Sequence, residues 1–162
     1  MTNNTAIFPG SFDPITIGHV DIIRRALKVF DKLTIAVGIN PAKDYMFSAE
    51  SRVMMIKKLF GKTTKIDIIK YTKLTIDMCQ EHNIHNIIRG VRSSKDFEYE
   101  QQLSFANKKL DSNIETFFLS SSIENTCVSS SIVKDIILNK GAIENFIPTE
   151  IISYINDISI TK

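Results

Sequence analysis

The feature that most limits the fold of this chain is a fivefold alternation of short strand-like runs with helix-like stretches. Strands that alternate with helices pair in parallel, and right-handed crossovers place the helices on both faces of the sheet. The pattern therefore predicts an α/β fold with a doubly wound, parallel five-stranded sheet and a helical C-terminus. The predicted strands are residues 5–8, 33–39, 65–71, 86–90 and 115–120, and the predicted helices lie at about 18–30, 48–60, 76–82, 96–110, 130–138 and after Pro148.

The composition is typical of one globular domain, so residues 1–162 are expected to form a single unit. Hydrophobic residues make up 43% of the chain, enough to bury a core, and no repeat or linker divides it. A net charge of only +2 argues against a nucleic-acid-binding surface. The chain has no signal-like start and no apolar run that could span a bilayer, so we expect a cytoplasmic protein without a membrane partner.

In an open parallel sheet, ligands bind beyond the carboxyl ends of the strands, so the loops that follow the strands carry the chemistry. The first of these loops, PGSFDPITIGH, spans residues 9–19. Gly10 permits a positive φ or close backbone approach, and Ser11 offers a hydroxyl and an amide. Gly18 and His19 open the next helix, whose free N–H groups favour an anion. An ordinary turn with an incidental histidine is the alternative, but it leaves the whole cluster unexplained.

Cationic side chains follow two further strands. Lys43 comes after the second strand, and Arg89 and Arg92 flank Gly90 at the end of the fourth. Guanidinium groups bind phosphate oxygens in a fixed, often bidentate geometry, so this spacing favours an oxyanion site. The alternative is that the arginines pair with neighbouring carboxylates, namely Asp96, Glu98 or Glu100.

Three serines, Ser129, Ser130 and Ser131, stand directly before the helix that follows the fifth strand. One serine would be enough to cap the helix. Three hydroxyl groups together with the free amides of a helix start exceed that need and suit a triphosphate.

A second cluster, Cys79, His82 and His85, has a spacing that hints at zinc. A zinc site needs a fourth ligand or a water in a closed geometry, and the chain offers no partner cluster. We therefore expect no metal ion held by protein side chains, with His82 near the C-terminal end of a short helix.

Two motifs identify the family that the chain resembles. TIGH at residues 16–19 and VSSSIVK at 128–134 resemble the T/HxGH and ISSSxxR/K signatures of the nucleotidyltransferase superfamily. PGSFDPIT, IRGVR and DFEYE resemble, more narrowly, the bacterial phosphopantetheine adenylyltransferases, and the resemblance extends along nearly the whole chain. Lys134 stands where the superfamily often has arginine, and residues 125–127 lack the aromatic side chains of some members.

The resemblance implies a Rossmann-like fold and reversible transfer of an adenylyl group from ATP to 4′-phosphopantetheine. The products would be dephospho-coenzyme A and pyrophosphate, in the penultimate step of coenzyme A biosynthesis. It also implies Mg²⁺, bound through the ATP phosphates, and a homohexamer. Because the attacking phosphate is already anionic, such a reaction needs no general base, and catalysis consists of positioning and charge stabilisation.

The resemblance also implies roles for individual residues. His19 matches the stabiliser of the transition state. The positions that match phosphopantetheine contacts are Ser11, Lys43, Thr75 and Arg89. The positions that match the ATP site are Ser11, Phe12, His19, Gly90, Val91, Arg92, Glu100, Asn125, Thr126, Cys127, Val128, Ser129, Ser130 and Ser131.

Two alternatives stay open. Another small nucleotidyltransferase would act on nicotinate mononucleotide or make a CDP-alcohol, and RGVR with DFEYE, Lys43 and Leu74–Thr75 is the feature that discriminates against it. A non-catalytic adenine-nucleotide sensor could share the fold, because a fold alone does not determine function. Retention of His19, Lys43 and both arginines argues against a sensor.

Overall fold

The computed structural model describes residues 4–158, and its strands form one five-stranded sheet in the order β3-β2-β1-β4-β5. Every neighbouring pair of strands is parallel. The strands are β1 (Thr5–Gly10), β2 (Lys32–Gly38), β3 (Ile66–Tyr71), β4 (Asn86–Val91) and β5 (Glu115–Ser120). The helices are α1 (Ile17–Ala26), α2 (Ala49–Phe60), α3 (Thr75–Glu81), α4 (Ser94–Leu110), α5 (Ser130–Leu138) and α6 (Thr149–Asp157).

The predicted fold class is confirmed, including the parallel sheet and the helical C-terminus. The single domain over residues 1–162 stays a prediction. Several predicted boundaries were wrong, among them the start of α4, which lies at Ser94 and not at residue 96. Strand β1 continues to Gly10, because Pro9 and Gly10 still pair with Ala36 and Val37 of β2. Helix α1 ends at Ala26 and not at Phe30. After Ala26 the chain forms turns whose hydrogen bonds join residues three apart, such as Lys28 N–H to the Arg25 carbonyl.

Two apolar layers cover the two faces of the sheet, and alternate residues of the strands point into them. Ala6 and Phe8 of β1 belong to the larger layer, together with residues of α1, α2, α5 and α6. Ile7, between them, belongs to the smaller layer with Ile76 and Met78 of α3. This two-residue alternation explains why β1 and β2 read as continuous apolar runs, since both sides of these central strands are buried, whereas the edge strands β3 and β5 are partly exposed.

Helix α4 lies on the same face of the sheet as α3, where the smaller apolar layer is, and it contacts β4 and β5. It is the longest helix, yet it has no fully buried residue. No helix within residues 4–158 has both the length and the apolar character needed to cross a bilayer.

One buried cation joins three chain segments beneath the sheet edge. Arg52 of α2 is only 1% exposed. Its guanidinium donates to the backbone carbonyls of Ser11 at 2.7 Å, Gly38 at 2.9 Å and Phe47 at 3.2 Å. These carbonyls belong to the loop after β1, the end of β2 and the loop before α2, so Arg52 holds three connections in fixed relative positions.

Replacing Arg52 by methionine is expected to lower the free energy of unfolding by about 3 kcal/mol, because three buried carbonyl oxygens lose their donor at about 1 kcal/mol or more each. Urea unfolding followed by circular dichroism measures the change. Arg24→Met, an exposed position on α1, is the matched control and should change stability by less than about 0.5 kcal/mol. Equal stability losses for the two variants would contradict the role given to Arg52.

Candidate functional site

The candidate site lies where β1 and β4 stop pairing. The strand order reverses between these two strands, which is where open α/β sheets bind ligands. Their register includes only Ala6 with Asn86 and Ile7 with Ile87. Pro9 has no N–H to offer, and its carbonyl instead accepts a bond from Arg89 Nη1 at 2.9 Å. The sequence predicts a ligand loop here, but the early end of the ladder is visible only in the structure.

Two adjoining cavities open at this point. The first cavity, about 270 Å³, lies between the ends of β1 and β4 and the starts of α1 and α5. The second cavity, about 600 Å³, lies between the loops that follow β1, β2 and β3. Gly10 and Arg89 line both cavities and mark their junction.

The structure brings the two predicted sets of residues largely to separate cavities. Nine of the positions matched to ATP line the first cavity, namely Phe12, His19, Gly90, Arg92, Glu100, Val128, Ser129, Ser130 and Ser131. All four positions matched to phosphopantetheine line the second cavity, namely Ser11, Lys43, Thr75 and Arg89.

Five further positions matched to ATP do not line the first cavity, and one of them, Ser11, lines the second. Val91 is buried at the end of β4 and borders a shallow groove beside Arg92. The segment of Asn125, Thr126 and Cys127 lies between β5 and α5, where the Cβ of Asn125 comes near Gly18. The nucleotide-binding roles of all the positions matched to ATP stay predictions.

The loop after β1 differs from the sequence expectation in its backbone. The positive φ, 49°, belongs to Phe12 and not to a glycine. A Cβ on Gly10 would lie 3.0 Å from the Phe12 ring, so Gly10 is needed for close approach of that ring. The same ring packs edge-on against His19, with 5.1 Å between ring centroids. The absence of a side chain at Gly10 therefore leaves room for the Phe12 ring, which in turn packs against His19.

The local structure of the α1 start sets the proton position on His19. Thr16 caps the helix, and its backbone N–H donates to His19 Nδ1 at 3.0 Å. A main-chain N–H can only donate, so in the neutral ring Nδ1 accepts and Nε2 carries the proton. Burial, and secondarily the positive charge of Arg92, lowers the pKa of His19 to about 4. His19 is therefore neutral at pH 7 and keeps an N–H donor at Nε2.

The two arginines adopt the carboxylate pairing that the sequence left open. Arg89 forms a bidentate pair with Glu100, with 2.6 Å between Nη2 and Oε1. Arg92 Nε lies 3.0 Å from Asp96 Oδ2. Both arginines nevertheless line the first cavity. The three bonds from Arg89 to Glu100 and Pro9 hold its guanidinium in place and use three of its five N–H groups.

The three serines at the start of α5 have different tasks. Ser129 is the N-cap and accepts from the Ile132 amide at 3.2 Å. Ser130 Oγ donates to the carbonyl of Pro14 at 2.9 Å and so joins α5 to the loop after β1. Ser131 is exposed at the helix start and lines the first cavity. Of the two hydroxyl groups in excess of capping, one joins α5 to the loop after β1 and the other lines the first cavity.

Sequence reasoning missed one buried carboxylate that organises the site. Asp13 is 3% exposed and accepts from the backbone amides of Met46 and Phe47, both at 2.9 Å. Lys134 Nζ lies 3.4 Å from the same carboxylate. These partners are more than thirty residues away in sequence, so no local pattern could have revealed them. The aspartate among prolines was the only signal.

The cysteine–histidine cluster has no arrangement that suits a metal. Cys79 is fully buried, and burial raises the pKa of its thiol to about 11. His82 and His85 are exposed. Within residues 4–158, no group of three His, Cys, Asp or Glu side chains is placed to hold an ion.

Comparison with known proteins finds one matching family model and several relatives that share one name. The cytidylyltransferase-like family model matches residues 7–136. A protein of Nautilia profundicola named phosphopantetheine adenylyltransferase is 47% identical over 147 residues, covering 91% of this chain and 96% of its own. Proteins of the same name from Pelagibacter ubique and Leptospira biflexa are each 48% identical, covering 87% and 88% of this chain and 89% of their own.

The protonation of His19 gives a test that needs no ligand. An NMR titration should find its pKa near 4, because burial and Arg92 disfavour the imidazolium. The unfolded state then binds more protons between pH 4 and 6.5, so stability should rise with pH across that window. His19→Gln should flatten this part of the stability curve, while His85→Gln, an exposed position, should preserve it. A His19 pKa of 6.5 or higher would contradict the burial of the ring and its closeness to Arg92.

Proposed function

Because this chain belongs to the phosphopantetheine adenylyltransferases of the cytidylyltransferase-like family, we propose that it reversibly transfers an adenylyl group from ATP to 4′-phosphopantetheine. The products are dephospho-coenzyme A and pyrophosphate, in the penultimate step of coenzyme A biosynthesis. The observation that supports this proposal is that two cavities meet at Arg89. Positions matched to ATP line the first cavity, and positions matched to 4′-phosphopantetheine line the second.

The acceptor phosphate binds in the second cavity, where Ser11, Lys43 and Arg89 converge. One of its oxygens attacks the α-phosphorus of ATP in the first cavity. The new P–O bond forms as the bond from the α-phosphorus to the bridging oxygen breaks, and pyrophosphate leaves with both electrons of that bond. The attacking oxygen carries no proton, so the protein supplies position and positive charge instead of a base.

His19 stabilises the transition state through its Nε2–H group. Negative charge grows on the nonbridging oxygens of the α-phosphate as the reaction proceeds. A neutral donor already oriented by the Thr16 amide strengthens its contact with that charge without reorganising. Ser131, which is exposed and lines the first cavity, and the free amides at the start of α5 seat the remaining phosphates.

Mg²⁺ accompanies ATP and is held mainly by phosphate oxygens. Of the described residues lining the first cavity, Glu100 offers a carboxylate, and both of its oxygens already accept from Arg89. The other polar groups are hydroxyls, amides, cations and the neutral imidazole of His19, whose Nδ1 already accepts from Thr16, and this set suits a phosphate-bound ion and not a protein-bound one. When bound together with ATP, the ion would neutralise charge on the phosphates.

The proposed assembly is a homohexamer in the cytoplasm. Helix α4 supports self-association, because apolar side chains on it remain exposed, namely Phe97, Tyr99, Leu103, Phe105 and Leu110. Exposed apolar surface of this kind is typical of interfaces. Light scattering should give six times the 18.3 kDa mass of one chain, and the mass of a single chain would refute the assembly.

A pyrophosphate-release assay tests the reaction itself. Release from ATP should depend on 4′-phosphopantetheine, and mass spectrometry should detect dephospho-coenzyme A. Formation of ADP would indicate a kinase, and preference for nicotinate mononucleotide would favour a different nucleotidyltransferase.

His19→Ala should lower kcat and kcat/KM together by about 10²–10³-fold, since it removes a donor that acts mainly in the transition state. The fold should persist with a modest loss of stability, because the variant loses the contacts of Nδ1 with Thr16 and the packing of the ring against Phe12. Steady-state kinetics beside a thermal melt measures both effects. His19→Asn, which retains an amide donor and acceptor, should be less impaired. A near-normal kcat in His19→Ala would remove this role.

Arg89→Ala should weaken binding of 4′-phosphopantetheine far more than binding of ATP. Loss of a charge-assisted contact predicts about 1.5–3 kcal/mol, roughly 10- to 100-fold. Calorimetry on each substrate provides the comparison, and Arg24→Ala, an exposed guanidinium outside both cavities, is the control. Equal losses for the two substrates would exclude Arg89 from acceptor binding.

A further inference from the structure

The loop that carries Lys43 is closed on itself by one residue, Asn40. The Asn40 side-chain oxygen accepts from the Ala42 amide at 2.9 Å, and its carbonyl accepts from the Lys43 amide at 3.0 Å. Its own N–H donates to the hydroxyl of Tyr45 at 2.9 Å. Asn40 and Tyr45 thus connect the two ends of the loop, with Lys43 between them.

The ring of Tyr45 is held in place by its contact with Arg52. The Arg52 guanidinium carbon lies 4.0 Å from the ring centroid, in a cation–π contact. Arg52 is itself immobilised by the three backbone carbonyls described above. A continuous series of contacts therefore runs from the buried Arg52 through Tyr45 and Asn40 to the backbone of Lys43.

Lys43 needs such support because it is exposed and stands on a loop. A flexible lysine loses conformational entropy when it binds a phosphate, and a loop that is already ordered reduces that loss. Tyr45 borders the second cavity beside Lys43. Nothing in the family signatures pointed to Tyr45.

We propose that Tyr45 is a positioning residue for the acceptor phosphate: its ring on Arg52 and its hydroxyl on the Asn40 amide hold the loop that presents Lys43. This inference rests on the proposed function. The hydroxyl is the part of Tyr45 that reaches Asn40, whereas the ring makes the contact with Arg52. Tyr45→Phe therefore releases the loop and leaves the buried cation covered.

Steady-state kinetics on four forms of the full chain tests this role: wild type, Tyr45→Phe, Lys43→Ala and the double variant. Tyr45→Phe should raise KM for 4′-phosphopantetheine about 3- to 10-fold, as expected for one lost hydrogen bond, with kcat and KM for ATP nearly unchanged. In the Lys43→Ala background the same change should have no further effect. Tyr154→Phe on α6, outside both cavities, is the matched control and should leave both KM values unchanged.

Three results would overturn the inference. They are an unchanged KM in Tyr45→Phe, an increase in both KM values, and an effect that persists without Lys43, which would mean that Tyr45 contacts the substrate itself. If the wild type shows no turnover, the proposed function is refuted, but the role of Tyr45 is not. Calorimetric binding of 4′-phosphopantetheine to the same four forms then decides the role of Tyr45 by the same comparison.

Discussion

Both cavities border the loop after β1, and that loop is held by one buried positive charge, the Arg52 guanidinium, where three connections of the sheet meet. Burying a cation is costly unless its donors are satisfied, and Arg52 meets this condition by bonding carbonyls of Ser11, Gly38 and Phe47. Asp13 completes the junction by accepting two amides of the loop before α2. Since these groups have few alternative partners once buried, the loops above them have little freedom to move apart. The site is therefore ordered by polar contacts beneath it.

The charges around the crevice are divided between binding and catalysis. Arg89 and Arg92 keep permanent charge at the cavity, each oriented by a carboxylate. His19 stands among them without a charge, because burial and Arg92 lower its pKa to about 4. A neutral histidine adds no further repulsion to this cationic surface and still offers a donor. Phosphate binding and a neutral histidine are thus compatible within one small volume.

Much of the site was predictable because its residues lie in local patterns. Loops after parallel strands meet at one edge of the sheet, so the grouping of Ser11, Lys43 and Arg89 follows from the strand pattern alone. The partners of those residues were not predictable. Glu100 was one of three carboxylates near Arg89, and only the packing of α4 beside β4 selected it. The φ of 49° at Phe12 was equally hidden, because a nearby glycine was the more obvious candidate.

The sequence by itself determined the parallel α/β architecture, the loops that carry chemistry and the family, because each is written in residues that are close together along the chain. The tertiary structure decided the end of the β1–β4 ladder at Ile7, the pairing of Arg89 with Glu100, and the burial of Asp13 and Arg52. The physical reason is that these contacts join distant segments. Their energies depend on desolvation and on which donors and acceptors become neighbours, and both are defined only after the sheet and helices have packed.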